Sequence, residues 1–565
     1  MILGLWDGHD AGVALLADGE IVFALSEERP SRLKRYSGFP ARSLVACLEY
    51  AATRGIAVTD VAVAGRHGRA PLRVLEPVYR RGAPHRDPLG PANRAVRAWE
   101  NTLPQVPLLR DVERAVGSAV VARRLRRLFA ARELPSPRLH SVPHHEAHAF
   151  SAMLGEPRER ALVFTWDAYG EGTAATARLA RRPLEVVLRR GVDIGLAELY
   201  GAVTVALGFD EGDEGKVMGL AARGRPSALR RRLSALFHQC SDGCRLRAPL
   251  SARRLRTILG DSSREDVAAA LQAVAEEQVG GAVTALMRRV GSGRPLLVAG
   301  GLFANIRINQ VLASLPGVER LFVFPHMTDG GLPAGAAHRV YHALTGALAR
   351  PLGHVFLGCA FDPGAAIETA RGLGLTVRRR SDPARVAARH LQARRVVCRY
   401  TGRDEFGPRA LGNRSLLFAA DVPGLPERVN AALGRDDFMP FGPIVRREEA
   451  QVLWPARGGG PIHSDLGYMT IAAPATAEFQ RASPTAVHLD RTTRPQVVDA
   501  GVTPDLHRLL SLYREAGGAP AVINTSFNRH REPIVHSPED ALSTFLASGL
   551  DVLLLEEYEI LRGAI

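Results

Sequence analysis

The residues best suited to chemistry fall in four short segments. His144 and His148, in PHHEAHAFSA, are four apart, which puts both imidazoles on one helix face within reach of one metal ion. The text HHEAH is not HExxH read from His145, so a metalloprotease is excluded. Two histidines on a helix also serve structural ends. What favours a metal is a pair of carboxylates, Asp167 and Asp329, that a duplicated fold can carry into the same cleft. A two-His carboxylate set with open positions suits iron, zinc or manganese, bound to a phosphate or polarising a carbonyl.

The second segment is EGDEGKVMGLA (211–221), where glycines flank Lys216. It lacks the GxxxxGK[ST] of a phosphate-binding Walker loop. In the third, EFGPRALGNRSLL (405–417), Gly407, Pro408 and Gly412 shape a rigid loop, and Arg409, Asn413, Arg414 and Ser415 offer donors. Two guanidiniums, an amide and a hydroxyl so close together are what a polyphosphate or acyl-phosphate site needs. The fourth, INTSFNRHREPIV (523–535), follows an apolar run with Asn524, Thr525, Ser526 and Asn528. Either loop alone also reads as a well-capped turn; two in one domain favour a ligand site.

The chain around these segments has 565 residues, 46% hydrophobic and 23% charged, enough for two to four globular domains. No run approaches the roughly 18 apolar residues of a membrane span, and MILGLWDGHD has no signal-peptide pattern. Five scattered Cys make neither a disulfide framework nor a complete zinc site. A reducing, cytoplasmic protein is expected. The net charge of +15 comes from 73 basic and 58 acidic residues, but only Lys34 and Lys216 are lysine. So complete a replacement by Arg reads as compositional bias, and a nucleic-acid partner is not expected. Where Lys or Asn survives, a compact ammonium or short amide is needed.

The elements that must position these residues are α/β. ILGLW (2–6), GVALLA (12–17) and EIVFAL (20–25) read as strands, with Asp18-Gly19 as a hairpin turn. The pattern returns at 161–188, where Trp166-Asp167 and Gly172 match Trp6-Asp7 and Gly12 at one offset. Two facing copies of a strand–carboxylate–glycine-turn unit are the plan of the actin and sugar-kinase superfamily. Residues 265–290 have helical spacing and lead to PLLVAGG (295–301), whose Gly300 and Gly301 let backbone approach a nucleotide or phosphate. Residues 66–138 read as a basic helical insertion, with a helical stretch near 119–132. After Pro351, strand-like runs at 395–400, 415–420, 466–472, 519–523 and 552–556 alternate with helices at 425–433, 505–516 and 538–547, a second α/β domain.

The ordered motifs WDGHDAGVALL, SRLKRYSGFP, HHEAHAFSA, WDAYGEG, EGKVMGLA, AGGLFANIRIN, TDGGLPAGAA, EFGPRALGNRS, FMPFGPIV, HLDRTTRPQ and NTSFNRHREPI resemble the O-carbamoyltransferase family over nearly the whole chain. The resemblance implies a Kae1-like, actin-like transfer domain over 1–348 and a YrdC-like activation domain over 352–565. It implies a reaction in which carbamoyl phosphate and ATP, with Mg2+, give carbamoyl-adenylate, whose carbonyl is attacked by a hydroxyl of a small-molecule acceptor. Under it His144, His148, Asp167 and Asp329 hold a divalent metal, Fe(II) foremost. His9 becomes the base for the acceptor hydroxyl and Lys34 stabilises the developing charge. The bland alternatives are a turn cap for His9 and a solvated loop for Lys34. Lys216, Gly300, Gly301, Asn305 and Asn309 fall to the nucleotide. Arg409, Asn413, Arg414, Ser415, Asn524, Thr525, Ser526 and Asn528, with Arg435 and Arg494, fall to carbamoyl phosphate and ATP. A homodimer is among the assemblies open to the chain, and a membrane partner is not expected.

Three positions depart from the family text: Arg491 and Arg531 replace its usual glycine or small residue, and Thr328 precedes the metal-loop Asp329. The rival readings are a tRNA- or hydrogenase-maturation factor built from the same domain types and a non-catalytic actin-like nucleotide-binding protein. A hydrogenase-maturation factor should add an acylphosphatase unit and CxxC zinc modules, and neither is in the sequence. The second has no use for the arginine loops.

Overall fold

A computed structural model describes residues 1–65, 107–155, 160–180, 184–191, 195–226, 228–240, 243–248, 250–435, 441–453 and 466–562. The chain divides into two compact units. One holds Met1–Glu27 and Tyr36–Leu352; the other holds Glu28–Arg35 and Gly353–Ile565. Much of the basic insertion, 66–106, lies outside the described residues, and its helical stretch is the end of a helix spanning Pro107–Ala130.

The first unit begins with β1 (Ile2–Trp6), β2 (Gly12–Ala17), β3 (Glu20–Ser26), β4 (Asp60–Ala64) and β5 (Arg138–Val142). β1 is apolar and buried throughout, as a strand covered on both faces must be. These five make one sheet in the order β3-β2-β1-β4-β5, with β1 antiparallel to β2 and parallel to β4. The second sheet uses β6 (Leu162–Gly170), β7 (Thr173–Leu179) and β8 (Glu185–Arg190). A small hairpin of β9 (Phe237–Cys240) and β10 (Gly243–Leu246) precedes its last strands, β11 (Arg294–Ala299) and β12 (Val318–Val323). Its order, β12-β11-β6-β7-β8, repeats the first sheet strand for strand, β6 standing in the place of β1. The repeat at one offset is therefore a real structural duplication, and the unit has the actin-like plan.

Two helices locate the chemistry of this unit. His144–Ala152 follows β5, and Leu332–Thr345 follows β12 through a short turn at Asp329–Gly331. They cross so closely that a Cβ on Gly335 would run into the carbonyl oxygen of Ala147. Only glycine permits this approach, and it carries Asp329 to the start of the histidine helix.

The second unit is built on β13 (Thr376–Arg379), β14 (Val397–Tyr400), β15 (Arg414–Ala419), β16 (Gly442–Arg446), the short pair β17 (Ala473–Pro474) and β18 (Thr492–Thr493), then β19 (Gln496–Val498), β20 (Val522–Ser526), β21 (Val552–Leu555) and β22 (Tyr558–Leu561). Eight of these form a mixed sheet, β13-β22-β21-β14-β15-β20-β16-β19. Helices Pro383–Gln392 and Pro504–Glu515 supply Val386, Leu391, Leu509 and Tyr513 to a core with Leu417, Val522 and Val552. The strand expected at 466–472 does not form. Met469 takes a left-handed φ of 55° in a turn there, and pairing is confined to Ala473–Pro474. Register pairs Tyr400 with Arg414, Ser415 with Ser526, and Gly442 with Asn524. The loops after β14 and β20 and the entries to β15 and β16 therefore gather at one end of the sheet.

Candidate metal centre and anion-binding loops

In the first unit His144, His148, Asp167 and Asp329 converge, with one ligand atom from each lying within 4.8 Å of the others. The helix spacing supplies the two imidazoles, the end of β6 supplies Asp167, and the turn before Leu332 supplies Asp329. From Nε2 of His148, Asp167 Oδ2 is 3.2 Å away and Asp329 Oδ1 is 3.4 Å; from Nε2 of His144 both are 3.6 Å. Tetrahedral ligands about 2.1 Å from one ion stand about 3.4 Å apart, close to these four distances. Nε2 of His144 and Oδ1 of Asp329 are buried without hydrogen-bond partners. Burial alone would lower the His148 pKa, but the two carboxylates override it and raise it to about 9. Asp167 is driven up by burial and, more strongly, down by its histidine partners, ending well below the usual carboxylate range. With both imidazoles deprotonated, as metal ligands must be, the four side chains carry two negative charges, which a divalent cation balances. The residues fit such an ion.

The middle histidine of the motif is spent differently. His145 lies between the Thr165 hydroxyl and the Thr173 carbonyl, both 2.9 Å from its ring nitrogens. A carbonyl only accepts, so Nε2 carries the proton. Burial, then the neighbouring histidines, hold this ring neutral.

His9 sits on the turn between β1 and β2, its side chain 55% exposed, with Nε2 3.1 Å from Asp329 Oδ2 and Nδ1 3.5 Å from Asp10 Oδ2. The Trp6 indole donates to the His9 carbonyl at 2.7 Å, and its ring meets His144 edge-on. His9 thus borders the metal cluster through a shared carboxylate. Gly300 and Gly301 border it from another side. Gly300 has φ 117° and packs on the Trp166 carbonyl, and a Cβ on Gly301 would sit 3.0 Å from Asp167 Oδ1.

The other residues assigned to the nucleotide are more committed. Asn305 caps the helix Ile306–Ala313, accepting from the amides of Arg307 and Ile308 at 3.1 Å, and its amide donates to Gln272 at 2.8 Å. Asn309 is fully buried and donates to the Phe303 carbonyl at 2.7 Å. Lys216 pairs with Asp213 at 3.2 Å. Lys34 is exposed and belongs to the segment Glu28–Arg35 of the second unit.

In the second unit, three guanidiniums lie at the loop end of the sheet with no ion-pair partner among the described residues: Arg409, Arg435 and Arg494. Burial lowers the pKa of each, Arg435 to about 10, and Arg494 is pushed further down by the charges of Arg409 and Arg435. The Nε atoms of Arg409 and Arg494 are buried without partners. Like charges held this close and half-buried favour a multivalent anion. Arg435 also braces the fourth segment, donating to Thr525 Oγ1 at 2.8 Å and to the Ser526 and Asn528 carbonyls at 2.7 and 3.0 Å.

Arg414 does something else. Its guanidinium is fully buried, pairs with Asp404 at 2.9 Å, donates to the carbonyls of Thr401 and Gly402, and stacks on the Tyr400 ring. Ser415 accepts from the Gly412 amide, and Asn413 donates to the Arg403 carbonyl. Asn524 donates to Ala410 O and Gln496 Oε1, and Asn528 to Arg529 O and Glu532 O. These residues shape the loops that present the three arginines. Sequence reading missed the organiser among them: Glu405, whose Oε1 gathers the amides of Leu411, Asn413 and Arg414 at 2.9–3.0 Å. Its signal was a carboxylate at the head of a glycine-rich loop.

No helix among the described residues is long and apolar enough to cross a membrane. Two family models match in order: Carbamoyltransferase N-terminus over residues 1–338 and Carbamoyltransferase C-terminus over 388–562. The nodulation protein NolNO of Sinorhizobium fredii is 28% identical, aligned over 98% of this chain and 79% of its own length. The 3'-hydroxymethylcephem-O-carbamoyltransferase of Streptomyces clavuligerus is 26% identical over 96% of this chain and 95% of its own. Among solved structures, a gluconate kinase of Lactobacillus acidophilus aligns with 62% of this chain and 90% of its own at 10% identity and a TM-score of 0.30, too loose for any inference. With both halves matched in order along one chain, this protein belongs to the carbamoyltransferase family of enzymes.

Proposed function

We propose that the enzyme is an ATP-dependent O-carbamoyltransferase acting on a hydroxyl of a small molecule, with activation in a YrdC-like second unit and transfer in a Kae1-like first unit. The observation that carries this reading is the set of three arginines, Arg409, Arg435 and Arg494, half-buried near one another with no ion-pair partner among the described residues. Their charge suits carbamoyl phosphate and the phosphates of ATP. Carbamoyl phosphate loses its phosphate to water. The resulting carbamate oxygen attacks the α-phosphorus of ATP, and pyrophosphate leaves. The product, carbamoyl-adenylate, is a mixed anhydride with a good leaving group.

In transfer, His9 takes the proton of the acceptor hydroxyl, whose oxygen bonds to the carbamoyl carbon while AMP leaves. Lys34 supplies an ammonium to the carbonyl oxygen as it gains charge. The turn Gly300–Gly301 takes the adenylate phosphate, with Asn305 and Asn309 fixing the helix that follows and Lys216 assigned to the nucleotide. His144, His148, Asp167 and Asp329 hold a divalent metal, Fe(II) the first candidate, which neutralises phosphate charge when bound. The test is pyrophosphate release from ATP and Mg2+ with and without carbamoyl phosphate, in wild type and Arg409→Ala. Release should need carbamoyl phosphate and vanish in the variant. Release indifferent to carbamoyl phosphate would refute the reading.

A further inference from the structure

Residues Glu28–Arg35 follow β3 of the first unit in sequence yet are built into the second. Two features of this short strap are costly enough to need a reason. Arg29 is only 2% exposed, and its Nη1 has no hydrogen-bond partner. Burying a guanidinium so incompletely satisfied is expensive. Arg32 and Arg35 take left-handed φ values of 59° and 54°, a conformation that disfavours side-chain-bearing residues. The strap is closed on itself by the Arg35 amide, which donates to Glu28 at 2.9 Å.

What the strap grips gives the reason. Nη2 of Arg29 reaches the carbonyls of Glu405 and Gly407 at 3.5 and 3.4 Å, and Asp404 next to them feels its charge. Those residues open the loop that presents Arg409. Arg32 donates to the carbonyls of Ile534 and Pro533 at 2.6 and 3.0 Å, and its Nε lies 3.4 Å from Asp540. That stretch is the return of the loop that begins at Ser526, closed by the Val535 amide on the Phe527 carbonyl at 3.0 Å. One strap therefore holds both anion-binding loops.

We propose that Arg29 and Arg32 are positioning residues for carbamoyl activation, fixing the Arg409 loop and the Ser526–Asn528 loop in mutual register. The activation unit is then incomplete without a segment that comes from the other end of the chain. This rests on the activation reading above. Lys keeps the charge but has a shorter reach than Nη2 of Arg29, so Arg29→Lys should be intermediate.

The test uses full-length Arg29→Ala, Arg29→Lys and Arg32→Ala. In the carbamoyl-phosphate-dependent release of pyrophosphate, KM for carbamoyl phosphate should rise at least about tenfold in Arg29→Ala and Arg32→Ala, more than kcat falls, with Arg29→Lys between. The metal content should not change. A purely structural role predicts the opposite split: a lower melting midpoint with wild-type KM in the surviving protein. Should Arg29→Ala not fold, Arg29→Lys and Arg32→Ala decide. Calorimetric titration with inorganic pyrophosphate reads the same loops without turnover. Weaker binding in both variants supports the proposal even if the activation chemistry is misassigned, whereas wild-type KM and wild-type pyrophosphate affinity in both overturn it.

Discussion

Oδ2 of Asp329 lies 3.1 Å from Nε2 of His9, and Oδ1 of the same carboxylate lies 3.4 Å from Nε2 of His148. One buried carboxylate therefore faces both the histidine assigned to transfer and the pair assigned to a metal. The two assignments can be separated, because only Asp329 belongs to both.

Asp329→Asn should lower metal affinity by more than about 100-fold, the upper range for losing a mere outer-shell partner. His9→Ala should keep stoichiometric metal and the release of pyrophosphate, and lose only transfer. Elemental analysis after dialysis against a chelator measures the first point, and carbamoylated product the second. Wild-type metal in Asp329→Asn would remove that residue from the ligand set.

Arg409 and Arg414 stand five residues apart in one motif, yet their expected phenotypes differ in kind. Arg414 and Asp404 form a fully buried pair, 0% and 1% exposed. Breaking such a pair costs about 3–5 kcal/mol, so Arg414→Ala should be lost mainly to unfolding. Arg409→Ala removes a cation repelled by Arg494. It should melt no lower than wild type while failing to release pyrophosphate. Equal destabilisation of both variants would contradict the division.

Arg491 and Arg531 stand where the family text has glycine or a small residue, and their φ values of 61° and 66° explain it. Both turns keep the left-handed conformation that glycine adopts freely, and both side chains are exposed. The strain relieved exceeds the chain entropy that glycine adds, so Arg491→Gly and Arg531→Gly should each stabilise by up to about 1 kcal/mol. Denaturant midpoints below wild type for either variant would show that its side-chain contacts outweigh the backbone strain.

Asp60 at the start of β4 in the first sheet offers a pH test. Burial raises its pKa, but hydrogen bonds from Arg138 and His140 at 2.9 and 2.7 Å win and bring it to about 2. A folded value below the unfolded one, near 4, contributes stability above pH 4 that is lost as pH falls toward 2. In Asp60→Asn the first unit should be less stable at neutral pH and lose less between pH 4 and 2. Parallel acid limbs in the two proteins would discount the network.

The parts of this site that were legible in the sequence are those set by short-range geometry. His144 and His148 declare a shared helix face by spacing, and Trp166-Asp167 declares the duplicated strand by repeating Trp6-Asp7. Polar residues in loops were legible only as donors, because nothing local says which way a side chain turns. That Asn305 caps a helix and that Arg414 pairs with Asp404 inside the second unit is written in no local pattern. Glu28–Arg35 was the least legible, since its membership depends on partners almost 400 residues and more away in Glu405 and Pro533.

Lys34 sits on that same segment. In a chain with 71 arginines and two lysines, its survival indicates a position that a guanidinium does not serve. An ammonium is a compact charge with three rotatable donors, whereas Arg presents a wide planar fork on a longer reach. If Lys34 stabilises the carbonyl oxygen during transfer, Arg there misplaces the charge by about an ångström, which costs on the order of 100-fold in rate. Lys34→Arg should therefore fold and release pyrophosphate like wild type and transfer carbamoyl far more slowly. Arg35→Lys, one residue on, keeps the charge and should be nearly silent, because Arg35 holds Glu28 through its backbone amide. Product formation measured at saturating ATP and carbamoyl phosphate separates the two. Wild-type transfer by Lys34→Arg would make Lys34 a solvated residue of the strap and leave the oxyanion to other donors.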